Sequence, residues 1–164
     1  MSGVYAPCRY SAQVCGNCRQ IGYVYGISVY GVGFDAVDLD AARDSFVRLG
    51  FTVSPRGRHI GWGTGNYTIM FEHDYVELLG VIDPSQYIHR LDEFLESGEG
   101  LLNVALGTEN ADDAYRWLQA QGVEASPPEQ LQRLLETDEG DETLRFHNVY
   151  IPNDITPGLN TFAC

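Results

Sequence analysis

The sequence predicts an α+β fold built from two tandem βαβββ units. A strand followed by a capped helix occurs twice along the chain, which indicates two copies of one unit. The copies keep a constant offset: 72 residues separate Gly50 from Gly122, the glycines that follow the two helices, and 72 residues also separate the Ser-Pro pairs at 54–55 and 126–127. The N-cap, the helix length, the glycine after the helix and the Ser-Pro pair keep the same spacing in both copies. We therefore interpret the pattern as an internal duplication.

Unit one is predicted over residues 27–83. Its first strand is "ISVYGVGFDAV", in which apolar residues fall mostly at every second position. The helix is "DLDAARDSFVRLG", which Asp38 caps at its start and Gly50 ends. Two strand-like runs follow, "NYTIMFEH" and "YVELLGVI", joined by a tight turn around Asp74. This order predicts a strand, a helix and then further strands.

Unit two is predicted over residues 99–164, after a linker helix over 84–98. "LLNVALGT" predicts its first strand, and "NADDAYRWLQAQG" predicts a helix capped by Asn110. "PPEQLQRLLETDEGDE" predicts a short helix and an acidic loop, and "TLRFHNVYI" predicts a strand. By this count unit two lacks its last strand. We therefore expect an incomplete second unit with an exposed sheet edge through which the protein forms a homodimer.

Composition and charge exclude several classes of function. The chain has 164 residues, 44% apolar and 20% charged, which is ordinary for a globular protein. Its net charge of −13 repels phosphate backbones and anionic lipids, so we expect no nucleic-acid partner and no membrane partner. No apolar run approaches the ~20 residues that cross a bilayer, and the first residues do not resemble a signal peptide. These features predict a cytoplasmic protein.

Residues 1–26 predict an arm rich in Gly, Tyr, Ser and Cys, without a helical period. Cys8, Cys15 and Cys18 lie in it, and Cys164 is the last residue of the sequence. The CxxC at Cys15 and Cys18 is a pattern that binds zinc or exchanges disulfides. No second pair or nearby histidine completes a zinc site, and no helix begins at the pair, so plain thiols are the preferred interpretation.

A glycine-rich segment, "RHIGWGTGN" at residues 58–66, predicts the rim of a binding pocket. Three glycines alternate along it, so one face has no side chains and a ligand or a backbone can approach closely. Four side chains beside them offer an aromatic ring, a hydroxyl, an amide and an imidazole to a ligand: Trp62, Thr64, Asn66 and His59. The alternative is that the glycines only permit a bulge in the sheet and that the tryptophan fills the core.

The duplication, together with "GRHIGWGTGN", "YVELLGVIDP" and "LRFHNVYIPNDITPG", resembles the vicinal oxygen chelate superfamily, and within it the glyoxalase-like domain group. The likeness covers about residues 30–164. It implies two units of curved mixed sheet that close around a cup-shaped site. It also implies a protein that binds a small carbonyl- or oxygen-bearing metabolite, either as a metal-assisted lyase, isomerase or dioxygenase or as a non-catalytic small-molecule-binding protein.

Glu77 is the candidate catalytic residue. It lies in the last strand of unit one, where the superfamily has a metal-binding glutamate. The resemblance therefore implies that Glu77 is a metal ligand or a base that removes a proton next to a carbonyl, with His59 and Asn66 orienting oxygens. A glutamate between Val76 and Leu78 is costly to bury without a partner. The alternative is a surface glutamate on the solvated face of the sheet.

The sequence supplies few other metal ligands. No histidine lies between residues 19 and 58, and Asn103 stands where the first strand of unit two might carry one. A Zn, Ni, Mn or Fe ion held by Glu77 alone would be weakly bound, which favours the non-catalytic alternative. His147, on the strand "TLRFHNVYI", is a further candidate for substrate binding in the second cup, although a core or surface histidine fits that position equally well.

Overall fold

The computed structural model describes residues 28–164, with side chains from Tyr30 onward. The predicted arm at residues 1–26, with its three cysteines, lies outside the described residues. The helices and strands in the described range are, in chain order, β1 (Ser28–Ala36), α1 (Leu39–Arg48), β2 (Gly57–His59), β3 (Thr64–Met70), β4 (Tyr75–Val81), α2 (Leu91–Leu95), β5 (Gly100–Gly107), α3 (Ala111–Ala120), β6 (Glu129–Thr137), β7 (Gly140–Ile151) and β8 (Asn160–Ala163). None of these helices is long and apolar enough to cross a membrane.

The strands form one closed barrel in the order β1-β4-β3-β2-β6-β7-β8-β5. Two seams join the units. β1 pairs in parallel with β4 of its own unit and antiparallel with β5 of unit two, and β2 pairs antiparallel with β6. The α+β fold of two βαβββ units is therefore confirmed, and the curved sheets of the two units are continuous with each other.

The expectation that unit two lacks its last strand is wrong. β8 pairs in parallel with β5 and antiparallel with β7, as β4 pairs with β1 and β3 in unit one. With only four residues, "NTFA", β8 is too short to show a clear alternation in the sequence. Since every strand of the described barrel has two neighbours, the exposed edge expected at a homodimer interface is also absent from residues 28–164.

Two predicted helices differ from the structure. The run "EQLQRLLET" forms β6, because pairing with β2 and β7 on its two sides outweighs the helix propensity of its Gln, Leu and Glu residues. The linker helix over 84–98 is confined to the five residues of α2. His89 and Arg90, immediately before α2, have left-handed φ angles of 52° and 59°, which a continuous helix cannot contain.

The two long helices cover the outer surface of the barrel. Leu39 of α1 packs with Tyr67 and Leu78, and α3 packs against a second cluster that includes Val149, Ile151 and Ala163. Because side chains alternate along a strand, the residues between these positions point to the barrel interior. The core is thus divided between two apolar layers under the helices and the space that the barrel encloses.

The duplicated Ser-Pro pairs perform the same task in both units. The Ser54 backbone N–H donates to the Thr68 carbonyl at 2.8 Å, and its hydroxyl accepts the Thr68 N–H at 2.9 Å. In unit two, Ser126 forms the same pair of bonds with Tyr150, at 2.9 and 3.0 Å. Each serine therefore extends the hydrogen-bonded ladder of the sheet just before β2 or β6. Its hydroxyl is the acceptor where a regular strand would use a backbone carbonyl.

We predict that Ser54→Ala and Ser126→Ala each lower the free energy of unfolding by about 1 kcal/mol, because a backbone N–H in the barrel wall then loses its acceptor. Urea unfolding followed by circular dichroism measures the loss. The matched control is Ser45→Ala in α1, where the hydroxyl donates to the Ala41 carbonyl of its own helix and alanine has the higher helix propensity. A loss as large in the control would contradict the prediction.

Candidate functional site

The barrel interior contains a cluster of polar side chains. The register of the strands turns seven polar side chains inward towards the barrel end where β1 and β4 end and β3 begins. We call these residues the interior polar cluster: Asp35, His59, Thr64, Asn66, Glu77, Asn103 and Arg133. Four of them are at most 5% exposed, and the other three are half-buried. Polar groups are costly to bury, so their concentration here marks the interior as the candidate functional site.

Glu77 lies on β4, paired with Thr68 of β3 and Gly33 of β1. The Asn66 side-chain Nδ2 donates a short hydrogen bond to Glu77 Oε1. Asn66 is 1% exposed, whereas Glu77 is only half-buried. The structure therefore brings these two predicted site residues together, with one carboxylate oxygen held by the amide and part of the carboxylate still accessible.

Asp35 is a second carboxyl group of the cluster. It lies two residues after Gly33 on β1, on the same face as Glu77, and it is 1% exposed. Asn103 Nδ2 donates to Asp35 Oδ1 at 3.2 Å. Burial, and secondly the nearby Glu77 carboxylate, raise the pKa of Asp35 from 3.8 to about 7. At neutral pH a large fraction of Asp35 therefore carries a proton, which makes it a hydrogen-bond donor.

His59 lies at the end of β2, where its Nδ1 shares a hydrogen bond with the Thr64 hydroxyl at 2.9 Å. Burial lowers the pKa of His59; the Glu77 carboxylate opposes this and the Arg133 guanidinium adds to it. The imidazole is therefore uncharged at neutral pH. The structure thus places His59 and Thr64, two of the predicted rim residues, in direct contact beside Glu77.

Trp62 belongs to an aromatic wall next to His59. Its ring stacks on His89 with centroids 5.3 Å apart and planes 16° apart, and it meets Tyr87 edge-on at 5.2 Å. The His89 ring is 6.1 Å from Tyr150, which faces the barrel interior. The sequence placed His89 in solvent on a linker helix, whereas its left-handed backbone turns the ring back over the end of β2.

The alternating glycines of the rim segment face outward, away from the cluster. A Cβ on Gly63 would lie 1.9 Å from the Asp83 carbonyl oxygen, and a Cβ on Gly65 would lie 2.9 Å from the Gly57 carbonyl oxygen. Gly61 has a φ of 81°, which suits a turn. Gly63 and Gly65 therefore permit close packing of the backbone, while Thr64 and Asn66 point inward.

His147 is not part of this group. It is exposed on β7, opposite Gln130 of β6 and on the same face of the strand as Val149. Because Val149 packs under α3 outside the barrel, His147 also points outward. A role of His147 in ligand binding stays a prediction that would need a site on the outer surface.

The sequence interpretation missed Asp35 and Arg133. Arg133 is 5% exposed and lies on β6 opposite His59. Its segment was predicted as a helix, so no residue facing the inside of a barrel was expected there. Gly31, Gly33 and Asp35 occupy every second position of β1 and so share one face of the strand. Two glycines followed by a carboxyl group on one face are the signal that could have identified Asp35.

The interior polar cluster does not fit a divalent transition metal. Within residues 28–164, no three His, Cys, Asp or Glu side chains lie close enough to hold one ion. Asn103, at the position where a histidine was expected, donates its amide to Asp35, and His59 Nδ1 is bonded to Thr64. The Asp35 carboxyl and the His59 imidazole also lie near Glu77, but among the described residues they do not converge with it into a three-ligand site.

The sequence model of a family described as a glyoxalase-like domain matches residues 30–164. No curated protein matches the chain. The fold is similar to methylmalonyl-CoA epimerase from Mycobacterium tuberculosis, with 17% identity over 88% of this chain and 92% of that chain and a TM-score of 0.67. It is also similar to a Streptomyces coelicolor methylmalonyl-CoA epimerase in complex with 2-nitronate-propionyl-CoA (17% identity, 83% and 92% covered, TM-score 0.62). A hypothetical protein from Bacillus halodurans C-125 has 13% identity, with 84% and 93% covered and a TM-score of 0.65.

We predict that Asp35→Asn raises the melting temperature at pH 8 by several degrees and leaves it almost unchanged near pH 4. The folded pKa of about 7 exceeds the ordinary value of 3.8, so the unfolded chain releases this proton first and folding stability falls as pH rises between those values. Asparagine removes that loss. Thermal unfolding across pH measures the difference, with the exposed Asp154→Asn as the control; two parallel profiles for Asp35→Asn and the unaltered protein would contradict the prediction.

We predict that the barrel binds no stoichiometric transition metal. Protein purified without chelators and its Glu77→Gln variant are expected to have the same metal content by mass spectrometry, and excess EDTA is expected to leave the melting temperature unchanged, because the cluster lacks a third ligand. If the unaltered protein contains one equivalent of metal and Glu77→Gln contains none, the prediction is wrong and the barrel rearranges around an ion.

Proposed function

The chain belongs to the glyoxalase-like domain family, and from this we propose that it binds a small carbonyl-bearing metabolite in the barrel and transfers a proton at the carbon next to the carbonyl. The proposal covers an isomerase or a lyase, since both reactions begin with removal of that proton. The single observation that carries it is the pair of carboxyl groups, Glu77 and Asp35, facing one interior in different protonation environments.

The pair supplies a base and an acid at the same pH. Glu77 is half-buried and held by Asn66, so it presents a carboxylate oxygen to a ligand. Asp35 is fully buried, and burial together with Glu77 raises its pKa to about 7. The two carboxyl groups differ in burial and in hydrogen-bond partners, and such a difference lets one act as the acid and the other as the base. This difference supports the assignment of Glu77 as base and Asp35 as acid.

The proposed step balances as a proton transfer. A Glu77 oxygen takes the proton from the carbon, the C–H electron pair becomes a carbon–carbon double bond, and the carbonyl π pair moves onto oxygen to form an enolate. A hydrogen bond from protonated Asp35, or from the Asn103 or Asn66 amides, stabilises the developing negative charge. Return of the proton from Glu77 to the same carbon regenerates the substrate, with a solvent-derived proton if Glu77 has exchanged. An isomerised product forms when a proton reaches the opposite face of that carbon or another atom of the enolate, for which the Asp35 carboxyl is the proposed acid, and proton exchange with solvent then restores both carboxyl groups. Asn66 serves as a positioning residue for the base.

In the superfamily that the sequence resembles, a metal holds the substrate oxygens. The described side chains around Glu77 do not form a three-ligand group, so the proposed step uses hydrogen bonds from the chain itself. Such donors are effective in an interior that excludes water, because their charges are screened less there than in solution.

A non-catalytic binding protein is the second candidate. Asn103 occupies the place where a histidine was expected, and its amide is already engaged with Asp35. A polar interior with hydrogen-bonded side chains is also what a selective ligand-binding site requires. In this alternative Glu77 accepts hydrogen bonds from the ligand and removes no proton.

Deuterium incorporation from heavy water, followed by proton NMR, tests the proposed function. The probes are methylmalonyl-CoA and small 2-oxo acids, which carry a proton next to a carbonyl. We predict exchange at that carbon with the unaltered protein and a loss of about 100-fold or more in Glu77→Gln, the scale of a general base. Asp35→Asn is expected to slow exchange by a smaller factor.

The matched control is Glu136→Gln, since Glu136 lies on the outer face of β6 and bonds Arg56. Its exchange rate is expected to equal that of the unaltered protein. Binding of the probes without exchange would favour the non-catalytic candidate, and equal rates in Glu77→Gln and the unaltered protein would remove Glu77 from the reaction.

A further inference from the structure

Arg133 is a buried cation for which the described residues supply no ion-pair partner. It is 5% exposed, and its Nε has no hydrogen-bond partner. Two other arginines lie near it but face the outer surface. Arg56, just before β2, pairs with Glu136, and Arg58, on β2, pairs with Glu136 and Asp141. Because a guanidinium remains charged at every accessible pH, its burial is costly unless an anion compensates it. The guanidinium lies over the Phe146 ring, with its Cζ 5.6 Å from the ring centroid, a contact that brings no counter-charge. The barrel therefore contains a cation suited to an anionic ligand.

The unsatisfied polar atoms point to the same space. Within residues 28–164, the buried side-chain atoms without a hydrogen-bond partner are Asn66 Oδ1, Arg133 Nε and Asn148 Oδ1. All three belong to strand positions that face the barrel interior. Since folded proteins satisfy nearly all buried polar atoms, the unsatisfied atoms of Asn66 and Arg133, on the two strands that flank β2, indicate a place for a polar ligand.

The geometry connects Arg133 to the proposed base. A Cβ built on Gly57 would lie 2.0 Å from Asn66 Oδ1 and 3.2 Å from Arg133 Nη1, so the amide and the guanidinium meet over this glycine. The other end of the Asn66 amide donates to Glu77. The Asn66 amide therefore lies between the Arg133 guanidinium and the Glu77 carboxylate. Arg133 and Glu77 thus lie close enough for a small ligand to reach both.

We infer that Arg133 binds a carboxylate of the metabolite, so that the ligand is a small carboxylic acid whose adjacent carbon faces Glu77. The inference rests on the proposed function, because it assigns the substrate class of that same site. A carboxylate matches the two-pronged guanidinium and carries one negative charge. A phosphate dianion would bring a second negative charge close to Glu77 and Asp35, which disfavours it.

Titration calorimetry with malonate tests the assignment, because malonate carries two carboxylates around an acidic carbon. We expect binding to the full chain, binding at least about tenfold weaker in Arg133→Gln, and partial recovery in Arg133→Lys. Arg58→Gln is the matched control, since Arg58 neighbours His59 on β2 but faces outward, with its side chain 48% exposed; it is expected to bind malonate as the unaltered protein does. Malonamide, the neutral analogue, is expected to bind more weakly than malonate.

A measurement on the unaltered protein keeps the test decisive if Arg133→Gln fails to fold. The Arg133 Nε–H resonance in nitrogen-correlated NMR spectra is expected to shift with malonate and to keep its position with malonamide. A resonance that malonate leaves in place, equal affinity in Arg133→Gln, or tighter binding of inorganic phosphate than of malonate overturns the assignment. Malonate binding that requires Arg133, without deuterium exchange on any probe, would retain it and reject the proposed proton transfer.

Discussion

The pairing of β1 with both β4 and β5 is the constraint on which the site depends. Gly33 of β1 lies opposite Glu77 on one side and Asn103 on the other. A Cβ at Gly33 would lie 2.8 Å from the Asn103 Cβ, so only a glycine lets the Asn103 side chain cross the strand to reach Asp35. Through this one residue the two units share a face, and a carboxylate of unit one meets an amide of unit two.

Closure of the barrel also buries polar and ionisable side chains in its interior. Apolar layers under α1 and α3 supply the hydrophobic stabilisation, which leaves the enclosed space free to hold polar groups. Asp35 and Arg133 are both almost fully buried there, although buried charges seldom add to stability. An arrangement that costs stability is typical of a functional site. Here it raises the pKa of Asp35 and retains a guanidinium that has no ion-pair partner among the described residues and lies over the Phe146 ring.

The family supplies the fold, and the interior side chains decide what the fold does. Where a metal site would require imidazoles, Asn103 and Asn66 present amides that hold Asp35 and Glu77 in place. The stack of Trp62 on His89 then limits the approach at the neighbouring end of β2. These side chains support the proposal of a site that works by hydrogen bonding and proton transfer, with its specificity set by the groups around Glu77.

The sequence by itself determined the duplication and the capped helices α1 and α3, and it singled out five of the seven residues of the interior polar cluster. Glu77 and Asn66 were among its site candidates, and Asn103 was noted as an absent histidine. These follow from local signals, since caps, helical period and strand alternation act over a few residues. Tertiary structure alone decided that β6 is a strand, that β8 exists and that Asp35 and Arg133 face the same interior. Those outcomes depend on hydrogen bonds between strands far apart in the chain. Neither the register of such strands nor the burial it imposes is present in any short stretch of sequence.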